Sequence, residues 1–241
     1  MKSHFLRAAW NNLIMANYEV PHKILDDLIP AGTELDFFEG KTYVSLIGFM
    51  FMNTRILGFS VPYHINFEEV NLRFYLKYSD GGEIKRGVSF VRELVPKPAI
   101  TLVANKIYNE KYQAVKMKHF HHEGDNELST GYQWKQANTW YKLECNTEKK
   151  SHLMKVGSME EFIAEHYWGF TKVNKNKTTA YEVYHPRWEI FPVNNYLIEC
   201  DFDICFGKKF AFLNEREPSS VFMARGSEIK IFHKKTINIS Q

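Results

Sequence analysis

One stretch constrains the fold more than any other. From Glu69 to Leu76 polar and apolar residues alternate without a break. Val70, Leu72, Phe74 and Leu76 share one face, and Glu69, Asn71, Arg73 and Tyr75 share the other, as the period of a strand requires. The turn residues Ser79-Asp80-Gly81-Gly82 follow, and then a second strand from Arg86 to Glu93. The result is a hairpin with a charged face. A two-residue turn at Asp80-Gly81 sets Glu69 opposite Arg92, and one at Gly81-Gly82 sets Asn71 opposite Arg92. A three-residue turn sets Glu93 opposite Glu69 and Ser89 opposite Arg73. Every register leaves an ionisable group of the second strand beside Glu69, Asn71 and Arg73.

Two readings of that face stand. On a wet surface such ion pairs lock a hairpin and contribute only about 0–1 kcal/mol. Inside a closed sheet the same groups form a network that binds a polar ligand. On the second reading Glu69, Asn71, Arg73, Tyr75, Arg92 and Glu93 are the ligand-facing set. Arg73 then points inward, pairs with Glu69 or Glu93, and is placed to hold a carboxylate.

The rest of the chain supports a mainly β architecture with short helices. Among 241 residues, 44% are apolar, and 19 Phe and 13 Tyr favour strands. Period-two segments recur from Leu13 to Lys234, punctuated by Pro and Gly. Helices are expected over 21–28 and 98–108, each opened by a proline, and over 159–166, opened by the capping box Ser158-Met159-Glu160-Glu161. No linker composition divides the chain, so residues 1–241 are expected to form one domain. Many antiparallel strands with few helices imply a barrel-like sheet, because closure removes exposed edges.

Several function classes recede. A net charge of +3 gives no reason to expect nucleic acid as a partner. The longest apolar stretch, Val44 to Met52, is too short to span a membrane. No signal peptide is read, and Cys145, Cys200 and Cys205 suit a reducing cytoplasm. No cofactor motif is present. His119, His121 and His122 lack a third ligand in sequence, and the cysteines lack zinc spacing, so no metal is expected.

The run Leu28 to Asp36 with Gly40 to Ser45 resembles the YqjF-like bacterial proteins, a domain of unknown function. So do Phe67 to Tyr75, Gly87 to Glu93, Phe162 to Trp168 and His185 to Trp188. That family is similar in fold to acetoacetate decarboxylase, which implies a barrel-like sheet around a central cavity. The decarboxylase works through a Schiff-base lysine beside a second lysine. The corresponding tract here, Asn105 to Tyr112, has no adjacent lysine pair. Its nearest match, Lys111, lies between Glu110 and Tyr112.

The chain is therefore expected to be a cytoplasmic barrel binding a small organic acid, with an enzymatic role left open. The alternative is a non-catalytic binding or interaction protein whose charged hairpin is structural. Self-association is compatible with either. Schiff-base chemistry is not expected, because a carboxylate beside Lys111 favours the charged ammonium. Borohydride treatment with acetoacetate or pyruvate should leave no adduct on Lys111, Lys116 or Lys118 by mass spectrometry.

Overall fold

A computed structural model describes residues 3–239. The chain opens with β1 (His4–Val20), two one-turn 3-10 helices (His22–Ile24 and Asp26–Leu28) and the short β2 (Glu34–Leu35). β3 (Thr42–Ile56), β4 (Phe67–Asp80) and β5 (Glu83–Val95) follow, then α1 (Pro98–Tyr108). β6 (Tyr112–Ala114), β7 (Lys116–Glu123), β8 (Glu127–Gln136), β9 (Thr139–Glu148) and β10 (His152–Leu153) lead to α2 (Met159–Ala164). β11 (Trp168–Asn174), β12 (Lys177–Tyr184), β13 (Glu189–Phe191) and β14 (Val193–Glu199) precede α3 (Phe202–Phe206) and a 3-10 segment (Lys208–Glu215). β15 (Ser220–Phe232) and β16 (Lys235–Asn238) end the fold.

The larger sheet closes on itself. Its ring runs β15-β1-β3-β4-β5-β11-β12 and returns to β15 through Val183↔Ile231 and Tyr184↔Lys230. The joint between β5 and β11 is the parallel one, made by Trp168↔Gly87 and Gly169↔Val88; the rest of the ring is antiparallel. A Cβ at Gly87 would run into the Trp168 carbonyl oxygen, so this joint needs glycine for close backbone approach. β7, β8, β9 and β14 form a second, antiparallel sheet.

The alternation of β4 divides the core as its sequence implies. Val70, Leu72, Phe74 and Leu76 face outward into a core shared with Tyr132, Trp134 and Leu143 of the second sheet and with Phe202, Phe206 and Phe210. On the inner side Leu13, Met15, Ile47, Phe49 and Val88 fill the ring together with Phe162 and Ile163 of α2. The inner and outer apolar sets follow the two sides of one pleat.

Local expectations are met unevenly. α1 begins at Pro98 as its proline predicts, and Ser158 caps α2 by accepting from the Glu161 amide at 3.3 Å. The Glu161 carboxylate reaches the Gly157 amide, one residue before the cap, at 2.6 Å. The expected helix over 21–28 resolves into two 3-10 turns. β1 starts at His4, well before Leu13, because Asn12 takes a left-handed φ of 55° and lets the strand bulge past the Asn11-Asn12 pair. Pro192 splits the strand expected over Trp188 to Glu199, sending β13 and β14 to different sheets. No described helix is long and apolar enough to cross a membrane.

Replacing Gly87 with Ala should open the parallel joint. Equilibrium denaturation is expected to show a loss of about 1–3 kcal/mol, the usual cost of overpacking.

Candidate functional site

The charged face of β4 looks into the ring. Glu69, Asn71 and Arg73 border an internal cavity of ≈ 60 Å³, together with Phe90 and Glu93 of β5. The hairpin turns at Gly81-Gly82, since Asp80 pairs with Glu83. That register alone would bring Arg92 opposite Asn71. A bulge intervenes: Arg73 pairs with Phe90 but Leu72 pairs with Arg92, which leaves Val91 extra. Val91 and Arg92 both fall on the outer side. Arg92 Nη1 there donates to the Cys205 carbonyl at 2.5 Å. Glu93 takes the inward place opposite Asn71.

Of the six residues read from sequence, four border the cavity and two do not. Arg92 is turned away by the bulge. Tyr75 shares the face of Arg73 but is buried against α2, with its hydroxyl 2.5 Å from Ser45 Oγ and its ring 5.3 Å from Phe162. Arg73 lies over that ring at 5.5 Å, so Tyr75 supports the guanidinium from below.

The expected pairing of Arg73 with Glu69 or Glu93 does not occur. Positions 69 and 73 on one strand lie roughly 13 Å apart at ~3.3 Å per residue, and Glu93 is held at the level of Asn71. Arg73 Nη2 instead donates to the Ile163 carbonyl at 2.9 Å, and its Nε has no protein partner. Among the described residues Arg73 forms no ion pair.

Two tyrosines reach the cavity, and a third carboxyl lies behind them, from segments the sequence did not single out as site-forming. α1 ends at Asn109, in the left-handed region at φ 59°. The turn beyond it is clamped by Asn105, whose amide bonds both the Tyr112 carbonyl (2.9 Å) and the Tyr112 amide (2.8 Å). This turn delivers Tyr112 into the cavity and Glu110 beside it. Tyr112 donates its hydroxyl to Glu69 at 2.9 Å, and Asn71 donates to the other oxygen of Glu69 at 2.9 Å. Glu110 Oε1 receives Thr171 Oγ1 and Tyr181 Oη, each at 2.8 Å. Gly169 makes room for the Tyr181 ring, which a Cβ there would strike.

Glu69, Glu93 and Glu110 are 2%, 2% and 8% exposed, so three carboxyl groups occupy one dry space. Burial raises all of them. Glu69 is pushed up to about 7, against the pull of Asn71 and Tyr112. Glu93 goes well above the carboxylate range, first by burial and then by the charge of Glu110. Glu110 rises less freely, because Thr171, Tyr181 and Glu93 bond to its charged form. Glu93 thus holds its proton well beyond the ordinary carboxyl range, and Glu69 sits near its midpoint at neutral pH.

The far side of the cavity holds two histidines. His166 Nε2 is 3.2 Å from Asp36 Oδ2, and the same oxygen takes Arg86 Nε at 2.6 Å. Burial opposes the charge of Asp36, yet its bonds to His166 and Arg86 outweigh that and hold the carboxyl below its usual range. An ionised Asp36 only accepts, so the His166 proton lies on Nε2 and Nδ1 presents a lone pair with no protein partner. Burial pulls His166 down to about 4 and His185 to about 4, so both are neutral. His185 is stacked 4.0 Å from Trp188. Both histidines lie in segments that the sequence flagged by resemblance alone.

His119 and His121 stand on β7, bonded to Glu68 (2.6 Å) and to Thr130 (2.8 Å). Among the described residues no group of three or more His, Cys, Asp or Glu is placed to hold a metal ion. Among the described residues no lysine borders the cavity, and Lys111 is exposed.

Comparison with known proteins fits this geometry. The sequence profile of the uncharacterized conserved proteins DUF2071 matches residues 7–228. The chain belongs to that family. It is similar to the uncharacterized protein YqjF of Bacillus subtilis, 36% identical over 74 residues, a match covering 30% of this chain and 31% of that protein. In fold it is similar to an acetoacetate decarboxylase-like enzyme from Sphingomonas wittichii, at TM-score 0.67 and 9% identity over 99% of this chain and 95% of that one. Acetoacetate decarboxylase from Legionella pneumophila gives TM-score 0.64 and 12% identity over 98% and 88%. The enduracididine biosynthesis enzyme MppR, complexed with pyruvate, gives 0.68 and 8% over 98% and 91%. At these identities the likeness is one of fold, and the residues of the DUF2071 cavity speak for themselves.

The buried carboxyls should make stability depend on pH in a stated direction. The unfolded chain releases these protons near 4.5, whereas the folded chain keeps that of Glu69 until about 7 and holds that of Glu93 well above its ordinary range. The unfolded state then binds fewer protons, so stability falls as pH rises through this window. The two histidines act oppositely, losing stability as pH falls from 6.5 toward 4. Above pH 6.5 only the carboxyl trend remains. Glu93→Gln keeps a donor and removes the charge. Denaturation at pH 8 should find it more stable than wild type, with a flatter pH profile.

Proposed function

We propose that this DUF2071 protein binds a small organic acid in the ring cavity and exchanges a proton with it. The observation that carries this reading is Arg73: a cavity-lining guanidinium with an unused Nε and, among the described residues, no carboxylate partner. A fixed cation in a dry space attracts an anion strongly, and a guanidinium suits the planar fork of a carboxylate. The neighbouring carboxyls support it. Burial and the charge of Glu110 disfavour ionisation of Glu93, so the cavity resists answering an incoming anion with three full negative charges.

Glu69 is the proton-transferring group in this reading. A general acid or base works best with a pKa near the working pH, and Glu69 lies at about 7. His166 is too weak a base for that role at about 4; its free Nδ1 offers an acceptor to the acid when the acid carries the exchanged proton. Covalent catalysis by an amine is not part of the proposal, because the lining offers no lysine among the described residues. The structurally similar MppR is complexed with pyruvate, which makes pyruvate a suitable first probe.

Titration calorimetry with pyruvate and acetate is the test. Arg73→Met should weaken binding by about 2 kcal/mol or more, roughly thirtyfold, while the fold persists by circular dichroism. Unchanged affinity would exclude Arg73 as the anchor. Binding should also weaken as Glu69 ionises, by roughly tenfold between pH 6 and pH 8, a coupling of about 1.4 kcal/mol. Glu69→Gln should remove that dependence, and a pH profile unaltered in that variant would take the proton-transfer role away from Glu69.

A further inference from the structure

Beneath α1 lies a second chamber of ≈ 160 Å³, against ≈ 60 Å³ for the polar cavity. Ile100, Val103 and Ala104 of α1 face Phe5, Leu6 and Ile56 across it. His64, Glu110 and Thr54 interrupt this apolar wall. Glu110 is 8% exposed and is bonded by Thr171 and Tyr181, and Thr54 is 3% exposed, so the surface offered to a molecule inside the chamber is mainly apolar.

The two spaces share Phe51, Tyr112, Tyr181 and Ile231. Tyr112 and Tyr181 are pinned by their hydroxyls on Glu69 and Glu110. The side chains of Phe51 and Ile231 carry no polar group, so on their side the two spaces are separated by apolar packing alone. At the other end Val61 and Val103 border the chamber and are 43% and 37% exposed. The chamber therefore meets solvent between α1 and the loop after β3. Arg73 borders the polar cavity and not the chamber.

We propose that this chamber takes the hydrocarbon tail of the ligand, so that the acids bound are amphipathic, with an apolar chain of about six carbons. An apolar void of about 150 Å³ is known to take benzene, which sets that length. The inference rests on the reading above for its head group alone; the chamber itself is an independent feature.

Straight-chain carboxylic acids and n-alkanols of two to ten carbons serve as probes, with affinities measured by calorimetry on the intact chain. For both series affinity should rise about fourfold per methylene, equivalent to ~0.8 kcal/mol, and level off near eight carbons. Ala104→Trp fills the chamber and should flatten both slopes while pyruvate binding is kept. Ala99→Trp, nearer the mouth, repeats the test should the first variant fold poorly. Flat slopes in the wild type, or slopes undiminished in both tryptophan variants, would overturn the proposal. A rise with length among alcohols alone would sustain the chamber and remove the carboxylate head group. Arg73-dependent pyruvate binding with flat slopes would do the reverse.

Discussion

The interior of this protein depends on two short joints that close its sheet. β5 meets β11 over two residue pairs, and β12 meets β15 over two more. An open sheet would leave Glu69, Glu93 and Glu110 in water, where carboxyl groups ionise near 4 and repel one another only weakly. Closure removes the water, and the energetics then reverse. Charge becomes costly, protons are retained, and hydroxyl donors must be supplied from three different strands. Tyr112, Thr171 and Tyr181 do so. The electrostatic character of the site is thus a property of the ring more than of any one residue.

The same dryness explains why Arg73 matters. Each other charged group around it has an answer within the protein: Arg86 has Asp36, Arg92 has a carbonyl, and Glu110 has two hydroxyls. Arg73 has one backbone carbonyl, the face of Tyr75 and a spare Nε. A cation stabilised to this partial degree is held in place without being neutralised.

Much of this was legible in the sequence where the information was local. The alternation of residues 69–76 told which side chains share a face, and Pro98 and Ser158 marked two helix starts. What escaped was non-local or conformational. The bulge at Val91 leaves no trace in a period-two pattern that already looks regular, so Arg92 and Glu93 could not be sorted into outside and inside. The tract from Asn105 to Tyr112 drew notice for its lysines, whereas its chemistry lies in Glu110 and Tyr112. Lys111 between them faces the other way, as alternate residues of an extended segment must. His166 and Trp168 were in view only as members of a segment resembling the YqjF-like proteins, because their distance from β4 in the chain hides their position across the ring.

The bulge carries one further consequence. Up to Phe90 the inward residues of β5 are even-numbered, and from Glu93 onward they are odd-numbered. One surplus residue therefore selects which of two adjacent side chains, a guanidinium or a carboxyl, lines the cavity. Were the second half of the strand to slip by one place, a guanidinium would replace a carboxylic acid, and every residue beyond it would change sides as well. In this part of the ring the chemistry of the lining is written in parity, and a change of chain length alters it more abruptly than any single substitution.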